Sequence, residues 1–246
     1  MKDKKFTHVK NTPDYMRIII SNVENFFGSQ INKKKILDIP AGNGWISTAL
    51  NKLGAQVTSA DINEEKKNYV MANMEMPLPF KNNQFDCVIC AEGIEHVLKP
   101  EALFSELARV LKKGGLLIIS TPNVQNFFTR LQLACTGYLY QFHSFHITPP
   151  KENELRDRGH INPIFYTQLR YFSHLHKLKI LQPDGDRFKR VIGLPLFLPF
   201  ILFGYYWSYR DWKRAGANIN SKEIIQHLFN MKTLFSRSLI FRAIKQ

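Results

Sequence analysis

Cysteine is scarce in this 246-residue chain: Cys87, Cys90 and Cys135 are the only three, too few for a disulfide framework. No apolar run opens it. MKDKKFTHVKN is polar and basic, so no signal peptide is expected and the cytoplasm is the default compartment. Internal repeats and low-complexity linkers are also missing, which argues against solenoids and tethered modules. Acidic residues are few, 20 against 34 Lys and Arg, and the net charge is +14. What is abundant is apolar side chain, 44% of the residues. That is enough to fill the core of one large domain.

Cys87 and Cys90 do spell C-x-x-C, but within an apolar run, FDCVICAE, that reads as a buried strand. Residues i and i+3 of a strand point to opposite faces, so the two thiols cannot share a metal or a bridge. No metal site is expected from them. The positive charge is uneven. Residues 1–150 carry 17 basic and 13 acidic residues, whereas 151–246 carry 17 and 7. Such an excess suits a polyanionic partner: nucleic acid, an anionic membrane surface or a phosphorylated substrate.

The order of elements points to an α/β chain. A helix is expected at 13–27, then KILDI as a strand, WISTALNKLG as a helix stopped by glycine, and AQVTSAD as a second strand. YVMANM holds a short third strand and FDCVICAE the fourth. KPEALFSELARVLKKGG has apolar residues at 103, 104, 107, 110 and 111, the helical period with a Lys-Lys-Gly-Gly stop, and GLLIIST follows as a strand. Strands spaced by helices predict a parallel, doubly wound sheet. NPIFYTQLRYFSHLHKL reads as a further helix, KILQ as a strand, and SRSLIFRAIK as a closing strand with alternating pattern. We expect a single domain over 1–246, with insertions near 124–160 and 187–220.

In an open α/β sheet the ligand sits beyond the carboxyl ends of the strands, at the turn from first strand to helix. Here that turn is ILDIPAGNG, residues 36–44. Ala41, Gly42 and Gly44 are small enough to let backbone amides approach a ligand. Asp61, 17 residues beyond Gly44 at the tip of the second strand, is placed to accept from a ribose diol. Gly-rich turns of this kind also serve packing alone.

Residues 34–123 carry more specific signals: L-P-F at 78–80, F-D at 85–86, E-x-x-E-H at 92–96, R-V-L-K-K-G-G at 109–115 and T-P-N at 121–123. In this pattern the chain resembles the class I S-adenosylmethionine (SAM)-dependent methyltransferases. The resemblance implies a Rossmann-like, doubly wound seven-stranded sheet with an antiparallel last strand, and SAM as cofactor. It implies that Asp38 orients the turn and contacts the SAM amino group, that Gly42 and Gly44 pass under the methionine part, and that Asp61 holds the ribose. Ile62 would cover an adenine face. Asn73, where the family often has aspartate, and Met74 would meet the adenine edge, while Ala91 and Glu92 face the cofactor. Pro40 stands where the family usually has its first glycine; its fixed φ and missing N–H alter the turn without abolishing it.

Methyl transfer from a sulfonium needs alignment, and a base if the acceptor is a hydroxyl. His96 and His160 are the candidates for that base, each with a purely structural alternative: bracing a loop for His96, holding a helix start for His160. The stretch AEGIEH replaces the N-P-P-Y of amide and adenine N-methyltransferases, and no RNA-binding module is appended, so nucleic acid is disfavoured as substrate. Residues 121–142 and 159–172 resemble a subgroup associated with cell-surface polysaccharide and lipid-linked glycan synthesis. That implies O-methylation of a sugar or lipid-linked intermediate; a quinone-pathway methyltransferase is the enzymatic alternative, and a binding or scaffold protein of the same fold the non-enzymatic one.

Residues 191–207, VIGLPLFLPFILFGYYW, contain no charge. Arg187, Lys189 and Arg190 precede them; Arg210, Lys213 and Arg214 follow. Pro195 and Pro199 argue against a straight helix. Positive charge at both ends predicts a segment that dips into one leaflet of an anionic membrane and returns, making the protein peripheral on the inner membrane face. A buried insertion or a dimer contact is the alternative.

Overall fold

The computed structural model describes residues 14–62, 68–142, 159–188, 194–214 and 219–246. Helix α1 (Asp14–Phe27) leads through a 3-10 turn, Gly28–Lys33, into β1 (Lys35–Asp38). Then follow α2 (Trp45–Lys52), β2 (Gln56–Asp61), β3 (Val70–Met71), β4 (Phe85–Ala91), α3 (Pro100–Val110) and β5 (Leu111–Pro122). The second half holds α4 (Phe127–Thr136), α5 (Tyr166–Leu175), β6 (Leu178–Ile180), β7 (Asp184–Gly185), α6 (Leu194–Arg214), α7 (Ile219–Leu228), α8 (Met231–Phe235) and β8 (Ser238–Lys245).

The sheet runs β3-β2-β1-β4-β5-β8-β6, with β7 also paired to β8. The first five strands are parallel; β8 enters antiparallel between β5 and β6. This is the doubly wound Rossmann-like sheet with an antiparallel last strand that the resemblance implies, with eight strands in place of seven because the two-residue β7 also joins it.

Strand alternation divides the core into two layers. Leu37, Val88, Cys90, Leu117, Ile119 and Phe241 pack under α3 and α5 on one face. Ile36, Cys87, Ile89, Leu116, Ile118 and Ile240 pack under α1 and α2 on the other. The two thiols of C-x-x-C therefore lie on opposite faces, as the period of two requires. Burial raises both thiol pKa values, Cys87 and Cys90 alike.

Helix α3 ends three residues earlier than its Lys-Lys-Gly-Gly stop suggests. Leu111 is already extended (φ −77°, ψ 135°) and pairs with Phe85, so Lys112 to Gly115 belong to the strand. The ladder and a 2.9 Å ion pair from Lys112 to Asp86 outweigh the residues' helical preference. At the other end of β5, Asn123 fastens the sheet to its last strand. Its side-chain amide donates to the carbonyls of Thr233 and Ser236, while its backbone N–H donates to Arg237.

The charge-free run also departs from expectation. It does not dip and return: Leu194–Arg214 is one helix of 21 residues with Pro199 inside. Pro195 sits in the first turn, where its missing N–H costs nothing. Pro199 removes only the bond to the Pro195 carbonyl. Phe197 packs on Phe127 and Phe128 at ring distances of 4.5 and 5.7 Å, and Tyr205 on Phe229 at 5.3 Å. Among the described residues no helix is long and apolar enough to cross a membrane. Residues 143–158, 189–193 and 215–218, within the two expected insertions, lie outside the described residues, Lys189 and Arg190 among them.

Candidate functional site

Five parallel strands bring their carboxyl ends to one edge, and the residues singled out in the sequence collect there. Asp38 closes β1 and is buried. Its Oδ2 accepts from Ser47 Oγ at 2.6 Å, and Ser59 donates in turn to Ser47 at 2.7 Å. Its Oδ1 is buried with no hydrogen-bond partner. A buried carboxylate oxygen left in that state is costly unless a donor arrives. Burial first, and the charge of Asp61 after it, push Asp38 up to about 7 against the lowering effect of Ser47.

Asp61 is buried at the tip of β2 and accepts from Gly42 N–H through Oδ2 at 2.8 Å. This bond ties the Gly-rich turn to the second strand, and a second tie runs from Ala41 N–H to the Ala60 carbonyl at 2.9 Å. Gly42 (φ +51°) and Gly44 (φ +75°) occupy the left-handed region that glycine tolerates best. Space beside Gly42 is open, with nothing within 4 Å of where a Cβ would stand. Pro40 fills a specific role here. Its ring lies over Gly93, where an added Cβ would come within 2.5 Å of Pro40 Cδ. The proline thus braces the first turn against the loop after β4, a contact that the sequence pattern alone did not reveal.

The remaining cofactor candidates are nearby in the fold. Ile62 follows Asp61 and is half-buried; Asn73 and Met74 follow β3. Asn73 Oδ1 accepts from Glu75 N–H at 2.9 Å, leaving one lone pair for a further donor. Met74 packs partly against the core rather than standing free. Ala91 pairs with Ser120 across β4 and β5. Glu92 takes the left-handed conformation (φ +49°) unusual for its type. Ser120 holds it, donating from Oγ to Oε1 at 3.1 Å and accepting Glu92 N–H at its carbonyl. Burial pushes Glu92 up to about 7, opposed by Ser120 and Arg237.

His96 and His160 are brought together, although 64 positions apart in sequence. His96 ends a 3-10 turn, Ile94–His96. The loop segment 159–162 is stapled onto it: Ile161 and Asn162 N–H both donate to the Glu95 carbonyl at 3.0 Å, and the Asn162 amide donates to the Val97 carbonyl. The rings meet edge to face, centroids 4.8 Å apart. His160 Nδ1 lies 2.9 Å from the Gln141 carbonyl, so it holds this segment rather than the start of α5. Three side chains to which the sequence assigns no individual role also reach the site. Glu95 is fully buried beside His96. Burial, then Glu92, Glu95 and Asp38, raise the Tyr15 hydroxyl of α1. Tyr69, pushed up to about 12 by burial, lies near Asp38 and Asp61. Tyr15 and Tyr69 belong to no motif, and nothing local marks them as site residues.

Residues 37–119 match the family model described as Methyltransferase domain. A ubiquinone biosynthesis O-methyltransferase from Xanthomonas oryzae pv. oryzae is 34% identical, the match covering 36% of this chain and 43% of that protein. The ubiquinone/menaquinone biosynthesis C-methyltransferase UbiE of Saccharophagus degradans is 33% identical, with 47% of this chain and 51% of that protein covered. The chain thus spans about half the length of these curated relatives. Among solved structures, a SAM dependent methyltransferase from Archaeoglobus fulgidus superposes with a TM-score of 0.56 at 14% identity, covering 94% of each chain. The Burkholderia thailandensis 1,6-didemethyltoxoflavin-N1-methyltransferase, solved with S-adenosylhomocysteine, gives 0.53 at 11%, covering 94% of this chain and 78% of that one. Residues 37–119 thus match a methyltransferase domain, and the fold is the one seen in SAM-dependent methyltransferases of known structure, which supports SAM as the cofactor. The buried Asp38 oxygen and the open side of Gly42 fit an amine and a methionine chain passing over the turn.

Proposed function

We propose that the chain is a SAM-dependent methyltransferase acting on a hydroxyl of a small acceptor that carries a lipid tail. In this reading Asp38 receives the SAM amino group, Gly42 and Gly44 give its methionine chain passage, and Asp61 holds the ribose diol. Ile62, Asn73 and Met74 border the adenine, and Ala91 and Glu92 lie toward the methyl group. His96 and His160 stand where the acceptor's proton must be handled. Methyl transfer is an in-line displacement, so the protein's main task is alignment of oxygen, carbon and sulfur.

The observation that carries the lipid-tailed acceptor is α6. Leu196, Phe200, Phe203 and Trp207 recur at i, i+4, i+7 and i+11, one stripe of a helix, and are 71, 66, 61 and 47% exposed. Arg210 stacks on Trp207 at 4.4 Å, with Lys213 and Arg214 beyond it. An apolar stripe with aromatic residues and basic charge at its end suits the interface of an anionic membrane. Lying in the plane of the surface replaces the dip-and-return path expected earlier. The relatives favour a quinone-pathway acceptor, since both named ones belong to quinone biosynthesis. The sugar or lipid-linked glycan acceptor finds no support among them and rests on the pattern of residues 121–142 and 159–172 alone.

Incubating the protein and methyl-tritiated SAM with membrane extract tests this directly. Label in a hexane-extractable phenolic lipid supports the quinone-type acceptor; label in a lipid-linked saccharide moves the choice to the glycan. Label confined to protein, or to a water-soluble product, overturns the lipid-tailed acceptor.

A further inference from the structure

Glu95, His96 and His160 form a cluster whose donor atoms all lie within 4.8 Å of one another. We propose that these three side chains bind a first-row divalent transition ion of the zinc type, with a fourth position open toward the acceptor. Two imidazoles and a carboxylate are a donor set that suits such ions, and three protein ligands with an open position are the pattern of catalytic rather than structural sites.

The geometry is close to what an ion needs. Bonds of about 2.0–2.1 Å at tetrahedral angles place ligand atoms roughly 3.3 Å apart. His96 Nε2 and Glu95 Oε1 are already at 3.9 Å, so side-chain adjustment of well under an ångström closes that edge. His160 is oriented for the task. Its Nδ1 donates to the Gln141 carbonyl at 2.9 Å, which leaves Nε2 as the ligating nitrogen, the arrangement that fixes tautomer and ring in metal-bound histidines. The backbone is fixed as well, because both amides that follow His160 bond to the Glu95 carbonyl. Glu95 is fully buried while His96 keeps 20% of its side chain exposed. The anionic ligand is therefore inside and the way in lies on the imidazole side. A buried carboxylate gains most from a cation at bonding distance. Glu92 stands apart, engaged by Ser120.

The role of the ion rests on the hydroxyl acceptor proposed above. An acceptor O–H in the open position loses its proton to water more readily. The oxygen then attacks the methyl carbon; the O–C bond forms as S–C breaks, and the sulfur keeps the electron pair as a neutral thioether.

Cobalt(II) titration of chelator-treated protein, followed by visible absorption, tests the site without reference to turnover. One equivalent per chain should give the intense 500–650 nm bands of a four-coordinate ion. Zinc should displace cobalt, and millimolar magnesium should not. His160→Ala, on a surface segment, should weaken cobalt binding about 100-fold or more, and His160→Cys should restore it with a new thiolate-to-cobalt band. SAM affinity is measured by calorimetry on the same samples. Absence of cobalt bands in protein that binds SAM overturns the site alone, as does unchanged cobalt affinity in His160→Ala. Cobalt bands in protein that fails to bind SAM support the site and overturn the methyltransferase reading instead.

Discussion

The two halves of the chain solve opposite problems. Between β1 and β5 polar groups are buried and paired at short range: Asp38 with Ser47, Asp61 with Gly42, Glu92 with Ser120. On α4 and α6 the apolar groups are turned outward, with Leu131, Leu133, Leu196, Phe200 and Phe203 all exposed. The first half resembles a socket of fixed shape, as a charged cofactor requires. The second resembles a surface awaiting an apolar neighbour, since exposed patches of this extent mark binding sites. The difference shows where each half's specificity resides, in local turn geometry for one and in long-range placement of helices for the other.

The sharpest way to break this contrast is to charge the outward stripe. Phe200→Glu with Phe203→Glu should lower binding to phosphatidylglycerol-containing vesicles at least about 100-fold, since each buried phenylalanine contributes about 1.5–3 kcal/mol. SAM affinity and thermal midpoint should stay at the wild-type values. Cosedimentation of the variant equal to wild type would remove α6 from the interface. A wild-type protein that ignores the vesicles while forming a concentration-dependent dimer would assign the stripe to a second copy.

A second test works inside the socket. Gly93→Ala puts a methyl within 2.5 Å of the Pro40 ring, and overpacking of this kind costs about 1–3 kcal/mol. The expected result is a lower thermal midpoint, partly recovered by Pro40→Ala in the same chain. A neutral Gly93→Ala would mean that Pro40 does not brace the two loops.

The smallest effect concerns pH. Asp38 is raised to about 7 in the fold from 3.8, so the folded state holds its proton more tightly than the unfolded chain does. Its contribution to stability is fully present below about pH 4 and is lost as pH rises toward 7. Glu92, raised to about 7 from 4.5, adds in the same direction. The ammonium of SAM favours the ionised Asp38, so binding should release a proton and tighten as pH rises from 6 to 7, by up to about tenfold. Asp38→Asn should flatten that dependence. A steep profile surviving in Asp38→Asn would place the linked proton elsewhere, with Glu92 the next residue to replace.

The succession of strands and helices and the Asp–Gly–Gly–Asp constellation were legible because they depend on residues adjacent in sequence or on strict periodicity. Ile36 and Leu37 alternate faces wherever the strand lies, and Asp61 ends its strand whatever follows. Three features were not legible for the same reason reversed. Helix α3 stops at Val110 because Leu111 is captured by Phe85, 26 positions away. The helix α6 survives Pro199 because Phe127, Phe128 and Phe229 pack along it. The pairing of His96 with His160 follows from two backbone bonds to one carbonyl, and no spacing rule announces such bonds. Pro40 is an intermediate case: its effect on the turn was readable, its contact with Gly93 was not.

Calorimetric titration of SAM into wild type and Asp61→Ala reaches the centre of the account most directly. Wild type should bind one equivalent per chain. Asp61→Ala should remain folded but bind about 100-fold more weakly, because it loses the charge-assisted ribose bonds proposed for it and the bond that holds Gly42 in place. A folded wild type that gives no heat with SAM, or a variant of equal affinity, would contradict it.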